Sequence, residues 1–232
     1  MSTADKSHVQ GMFGRIAPRY DLMNRLMTFG RDKSWRRFVV QQAHVPAEGH
    51  VLDIAAGTGD IAFEVRRQYP NATVIAADFA LPMMQVGQKR ANGSMVDWLG
   101  ANALALPLPD SSFDAVVSGF LFRNVPDIDA ALQEQWRILK PGGFLVTLDT
   151  SPPPQNLLRP FINIHLKYVI PTIGKLISGD SSAYRYLPQS TLEFKTPEAL
   201  AERIRGAGFQ QVGYQNFMFK TVAVHWGQKP PA

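Results

Sequence analysis

The chain has 232 residues, of which 45% are hydrophobic and 19% charged, so a packed core is expected and disordered or fibrous classes are excluded. Its 24 basic and 19 acidic residues give a formal net charge of +5, far from the balance of an arginine-rich nucleic-acid arm and slightly better suited to an anionic membrane surface than to a neutral one. No cysteine is present, which excludes disulfides, cysteine-based metal centres and a thiol nucleophile and makes a cytoplasmic address the simplest reading.

The first ten residues are polar, lack the apolar run of a signal peptide and are expected to be mobile. A single domain is expected over 11–228, with 229–232 as a tail. Gly11 to Ala43 reads as a helical region, with turn signals at Pro18 and Gly30. An alternation then begins: strand His50–Ala55, helix Asp60–Gln68, strand Thr73–Asp78, helix Leu81–Arg90, strand Val96–Asn102, strand Phe113–Phe120, helix Ile128–Leu139 and strand Gly143–Asp149. Near-continuous apolar strands alternating with helices predict an α/β fold with a doubly wound, mostly parallel sheet. Pro152, Pro153 and Pro154 stop the fifth strand, and an insertion follows over 152–195. Thr196 caps a helix to Ala207, closed by Gly208. Strands near Phe209–Phe217 and Lys220–Trp226 complete seven as an antiparallel pair. The most apolar stretch, Asn156–Ile177, is broken by Arg159, Asn163, Lys167, Pro171 and Lys175, so no spanning helix is expected.

The first strand runs into Asp53-Ile54-Ala55-Ala56-Gly57-Thr58-Gly59-Asp60. Glycines between a buried strand and a helix permit a tight turn and close ligand approach. Gly57-x-Gly59-x-x-Ala62 satisfies a loose dinucleotide fingerprint, with Asp78 placed to hold a ribose. Two carboxylates, Asp53 and Asp60, would however repel a pyrophosphate at the helix N-terminus. A ligand with an ammonium and a sulfonium fits better, which is S-adenosylmethionine.

The Asp53-x-x-x-Gly57-x-Gly59 pattern resembles the first motif of class I methyltransferases, whose Rossmann-like fold would carry an N-terminal helical lid over 11–44. The resemblance implies that Asp53, Gly57, Thr58 and Gly59 hold the cofactor, that Asp78 takes the ribose hydroxyls, and that Asn102 and Ala103 take the adenine. Phe13-Gly14-Arg15-Ile16-Ala17-Pro18-Arg19-Tyr20-Asp21-Leu22-Met23-Asn24, Arg137-Ile138-Leu139-Lys140-Pro141-Gly142-Gly143, Arg123-Asn124-Val125 and Tyr184-Arg185-Tyr186-Leu187-Pro188-x-Ser190 narrow it. These segments resemble the ubiquinone/menaquinone biosynthesis C-methyltransferases. The chain departs from that family at Thr28, Asp32, Asp149 and Thr150, and at Gly119, which stands where the family has a cofactor-contacting serine.

The resemblance implies methyl transfer to a ring carbon of a prenylated quinol, demethylmenaquinol in preference to a methoxy-polyprenyl-benzoquinol. It places Arg123, Asn124 and Tyr20 at the reaction and Tyr184 and Tyr186 along the acceptor. A guanidinium is no ready base, so Arg123 is read as stabilising a phenolate or orienting a water. His165 reads as a packed or partly exposed histidine rather than a base. Arg159, Asn163 and Lys167 recur every four residues, so the insertion helix carries a basic stripe on an apolar body. It suits a bilayer surface or a substrate wall equally. No metal and no nucleic-acid partner are expected, and a homo-oligomer is compatible with the composition. An NAD(P)-dependent oxidoreductase and a non-catalytic quinone-binding module stand as alternatives.

Overall fold

The computed structural model describes residues 11–157, 159–169, 171–172 and 183–232, so the expected mobile start 1–10 lies outside the described residues. Seven strands form one sheet in the order β3-β2-β1-β4-β5-β7-β6. β1 (His50–Ile54), β2 (Thr73–Asp78), β3 (Asp97–Gly100), β4 (Phe113–Gly119) and β5 (Leu139–Thr150) run parallel, and β7 (Val222–Gln228) pairs antiparallel with β5 and with β6 (Gln210–Phe217). The order reverses between β1 and β4. Ligands of doubly wound sheets bind outside the carboxyl ends of the strands at that point.

Among the described residues, eight α-helices accompany the sheet: α1 (Tyr20–Met27), α2 (Asp32–Gln42), α3 (Asp60–Gln68), α4 (Leu81–Gln88), α5 (Ile128–Ile138), α6 (Arg159–Ile164), α7 (Ala183–Glu193) and α8 (Pro197–Gly206). The central strands are apolar on both faces because both faces are covered. Val39, Val40, Ile61 and Val65 of α2 and α3 pack with Val51, Val117 and Val146 on one side, and Leu132, Ile138, Leu200 and Ile204 of α5 and α8 pack with Leu52, Val116 and Leu145 on the other. Two helix starts are fixed by a capping side chain. Asp127 accepts from the Ala130 N–H at 3.0 Å to cap α5, and Thr196 accepts from the Ala199 N–H at 3.3 Å to cap α8.

Three expectations change. The N-terminal helical region is not all lid: α2 is a core helix of the sheet through Trp35, Val39 and Val40, and the earlier residues approach the glycine loop. β5 begins at Leu139 rather than Gly143, because Pro141-Gly142-Gly143 is absorbed as an irregularity in the β4–β5 register, with Gly142 at φ 82°, instead of ending the pairing. The four-residue stripe of the insertion breaks, since α6 passes into a π-helical turn at His165–Val169 whose longer period rotates the following side chains. Arg159 and Lys167 are exposed, whereas Asn163 is half-buried.

Candidate active site

The turn from β1 to α3 has Ala55, Gly57 and Gly59 at positive φ, of 57°, 57° and 86°. At Gly59 a Cβ would lie 2.7 Å from the Trp98 ring, so only glycine fits. The loop is fastened to β2 through Asp78, whose Oδ2 accepts from the Gly57 N–H at 2.8 Å and whose Oδ1 accepts from the Ala80 N–H at 2.7 Å. Burial pushes the Asp78 carboxyl up, and the N–H groups of Ala80, Gly57 and Phe79 draw it back.

A cavity of about 250 Å³ opens beside this loop, lined by Gly57, Asp78, Asn102, Ala103, Gly119 and Tyr20 among others. Phe79, Ala80 and Met83 add an apolar wall. A carboxylate beside a glycine turn, followed by a polar amide in an apolar slot, suits a ribose and then an adenine. Three of the expected cofactor residues stand elsewhere. Asp53 is 1% exposed, and its Oδ2 accepts from the Ala62 N–H at 2.9 Å, bracing the loop from behind. The Thr58 hydroxyl donates to Asp21 Oδ1 at 2.6 Å, joining the loop to α1. Gly59 is the α3 cap, packed against Trp98.

The supposed repulsion of a pyrophosphate does not survive the geometry. Burial pushes Asp53 up to about 8, with the Ala62 N–H and the Arg36 charge pulling the other way, so it is uncharged at neutral pH. Asp60 is also pushed up by burial, but Arg36 and Arg90 outweigh this and hold it below the usual carboxylate range. Arg90 reaches Asp60 at 2.6 Å and Asp21 at 3.2 Å, and Arg36 reaches Asp60 at 3.2 Å and also pairs with Asp32. Of the two carboxylates that argued against a dinucleotide, Asp53 is therefore uncharged, and Asp60 is ionised but paired with Arg36 and Arg90.

A second cavity of about 320 Å³ adjoins the first and is mostly apolar, with Arg123 and a few neutral polar side chains in its wall. The two share Phe120 in their walls. Phe120 sits just past β4 at φ 61°, a strained backbone for a bulky side chain. Its carbonyl accepts from the Asn124 side chain at 2.6 Å, and the Arg123 guanidinium lies 4.8 Å from its ring centroid. Arg123 lines the second cavity, while Asn124 and Tyr20 line the first. The expected reaction residues thus flank the boundary between the cavities. Burial raises the Tyr20 hydroxyl, with the Asn24 amide and the Arg123 charge working the other way.

Arg123 is held from β5 and α7. Asp149 accepts from its backbone N–H at 3.2 Å and lies 3.7 Å from Nε, and Nη1 reaches Thr150 Oγ1 and Thr191 Oγ1, each at 3.4 Å. Burial pushes Asp149 up to about 6, with Arg123 limiting the rise. Tyr186 donates to Asn124 Oδ1 at 3.0 Å, so it steadies Asn124 rather than lining either cavity. The side chain of Tyr184 lies outside the described part of the structure.

Phe120, Asp149 and Thr191 carry parts of this arrangement that the sequence reading did not assign. For the first two the available signal was position, just past the carboxyl end of one central strand and near that of another. Thr191 has no such signal, since only the packing of α7 brings it to Arg123.

The sequence profile described as the ubiE/COQ5 methyltransferase family matches residues 1–229. The chain is 49% identical over 221 residues to a ubiquinone/menaquinone biosynthesis C-methyltransferase UbiE of Desulfotalea psychrophila, covering 95% of this chain and 90% of the relative. It is 46% identical over 221 residues to a demethylmenaquinone methyltransferase of Thermus thermophilus, covering 94% of this chain and all of the relative. In fold it is similar to a SAM-dependent methyltransferase of Thermotoga maritima, with a TM-score of 0.67 at 22% identity over 94% of this chain and 98% of that one. A phosphoethanolamine N-methyltransferase of Haemonchus contortus, solved in complex with S-adenosyl-L-methionine, gives a TM-score of 0.64 at 16% identity over 85% of this chain and 52% of that one.

Proposed function

The chain belongs to the ubiE/COQ5 methyltransferase family, and on that premise we propose that it methylates a ring carbon of a prenylated quinol, with demethylmenaquinol as the preferred acceptor. It is an S-adenosylmethionine-dependent enzyme. The observation that carries the reading is the pair of adjoining cavities, one built on the glycine turn and Asp78, the other apolar with the guanidinium of Arg123 in its wall. The relatives named for demethylmenaquinone support the preferred ring.

The bound cofactor supplies a methyl group already activated on sulfonium. The protein's task is alignment and charge. Gly57, Asp78, Asn102, Ala103 and Gly119 would hold the cofactor, with Tyr20 and Asn124 at its reactive end. The acceptor ring would enter the apolar cavity and meet Arg123 at a phenolic oxygen. A phenol ionises near 10 in water, and a fixed cation in a dry cavity favours the phenolate, which makes the ring carbon nucleophilic. Arg123 cannot accept the ring proton itself, and a water held between it and Asn124 would carry that proton away. Residues 11–27, latched to the glycine loop through Asp21, Thr58 and Arg90, would exclude bulk water and strengthen these charge interactions.

The mouth of the acceptor cavity supports a peripheral membrane contact as part of the same proposal. Phe29, Phe161 and Phe219 are 75%, 71% and 68% exposed and come from three separate segments. Phe29 and Phe219 are held at φ 52° and 55°, in turns that project them outward. Arg159, Lys167 and Lys220 lie on the same segments and suit an anionic bilayer. Among the described residues no helix is long and apolar enough to cross a membrane.

The test is methyl transfer from isotopically labelled S-adenosylmethionine to short-tailed demethylmenaquinol and to a methoxy-prenyl-benzoquinol, read by mass spectrometry. Labelled product from the naphthoquinol is expected. Gly57→Val should abolish both transfer and thermal stabilisation by S-adenosylhomocysteine, because a Cβ there already meets Met83 at 3.2 Å and φ is positive. Labelling of neither quinol would overturn the reading.

A further inference from the structure

Among the described residues only Phe120 stands in the walls of both cavities. Its chain neighbours Gly119, Leu121 and Asn124 line the first cavity, and its ring lies under the guanidinium of Arg123, which lines the second. The root of that ring is fixed from two sides. The Phe120 N–H donates to the Leu148 carbonyl of β5 at 2.6 Å, and the Phe120 carbonyl accepts from the Asn124 amide, which Tyr186 steadies in turn. Together they hold the backbone at φ 61°, a conformation that costs a bulky residue energy and persists only where the surroundings over-determine it.

The guanidinium above the ring is held less firmly by its polar partners. Asp149 Oδ1 stands 3.7 Å from Nε, beyond hydrogen-bond distance, and the two threonine hydroxyls meet Nη1 at 3.4 Å, the long limit for such bonds. The 3.2 Å bond from Asp149 goes to the backbone N–H of Arg123, so it fixes the root of the side chain and not the plane at its end. The Phe120 ring supplies the missing constraint. Its centroid is 4.8 Å from the guanidinium carbon, inside the range of about 6 Å over which an aromatic face attracts a cation. The Arg123 side chain is only 6% exposed, and the attraction strengthens where water is excluded.

In the reaction proposed above, the guanidinium acts on one phenolic oxygen. Such stabilisation depends on donors aimed beforehand at the place where charge develops, and small departures from that aim cost rate steeply. Resting on that function, we propose that Phe120 is a positioning residue: its ring backs the Arg123 guanidinium and keeps the donor edge turned to the acceptor's ring oxygen. It acts through Arg123 and exchanges no proton.

The experiment is a double-mutant cycle on methyl transfer to short-tailed demethylmenaquinol, read by mass spectrometry. Phe120→Leu keeps an apolar wall and loses the aromatic face. It should lower kcat about tenfold and change KM less than threefold. Arg123→Ala should lower kcat about a hundredfold, and the double variant should be no slower than Arg123→Ala alone, because the ring then has nothing left to position. A second series keeps the shape of the side chain almost unchanged. Phenylalanines carrying one, two and three ring fluorines, incorporated in place of Phe120, withdraw charge stepwise from the aromatic face. In that series kcat should fall stepwise, to about a fifth of wild type at three fluorines. Affinity for S-adenosylhomocysteine, by titration calorimetry, should stay within threefold of wild type throughout, which shows that the cofactor cavity and the fold are intact.

Losses that multiply to about a thousandfold in the double variant would overturn the proposal, since Phe120 and Arg123 would then act independently. A kcat indifferent to all three fluorinated rings would overturn it equally, through side chains that leave the packing in place. A wild type that methylates neither quinol overturns the function proposed above, and the positioning role with it. That result is distinct from an active wild type whose two single losses multiply.

Discussion

Asp53→Asn tests the electrostatics of the glycine loop through stability. In the folded chain, burial pushes the Asp53 carboxyl from its ordinary 3.8 to about 8. Between those values the folded state holds a proton that the unfolded chain has released, so stability falls as pH rises through the window and levels off above about 8. At 1.36 kcal/mol per pH step, the burden reaches about 4 kcal/mol at pH 7. An asparagine keeps the shape and can still accept from the Ala62 N–H, but it has no proton to lose. The variant should be close to wild type near pH 4 and more stable by about 4 kcal/mol at pH 7. Any fixed cost of the unpartnered amide is the same at every pH and drops out of the slope. Urea unfolding followed by circular dichroism at pH 4, 5, 6, 7 and 8 gives the difference curve. A flat curve would mean that Asp53 is ionised and compensated in the fold, and the account of a neutral loop would be wrong. Affinity for S-adenosylhomocysteine should change only a few fold, since Asp53 lies behind the loop and not in the cavity wall.

Arg123→Ala should leave cofactor affinity within a few fold by titration calorimetry while lowering methyl transfer about a hundredfold, the loss of roughly 3 kcal/mol of charge stabilisation. Arg123→Lys should rescue little, because a point charge cannot span Asp149 and the threonine pair as a planar fork does; normal turnover in the alanine variant would make Arg123 structural. Arg36→Met should destabilise the protein by about 3–5 kcal/mol, since it strands the buried Asp32 carboxylate and removes one of two cations from Asp60. A chain of this size should then melt roughly 6–20 °C lower by calorimetry, and an unchanged melting temperature would show that the pair contributes nothing.

Much of the architecture was legible because its signals are local. The apolar runs of β1, β2 and β4 could only be strands covered on both faces, and Thr196-Pro197-Glu198 announced a helix start before any neighbour was known. The glycine turn and Asp78 were equally readable, since Gly59 answers to its backbone and to the Trp98 ring beside it. What the sequence left undecided depends on residues far apart in the chain. The charge state of Asp53 and Asp60 could not be read from their spacing. It follows from total burial in one case and from Arg36 and Arg90, brought in from α2 and from the turn after α4, in the other. The Pro-Gly-Gly segment read as lying before the fifth strand, yet β5 runs through it as an irregularity in the β4 register, with the Gly142 N–H and the Gly143 carbonyl bonded to Lys229 near the far end of the chain. His165 looked like a packing residue until the π-helical turn set it in the wall of the acceptor cavity, 42 residues beyond the arginine with which it shares that cavity. Hydrophobic pattern and turn chemistry act over a few residues and so are written in the sequence. Desolvation and long-range pairing depend on which side chains meet, and that is decided only when the sheet closes and the insertion folds over it.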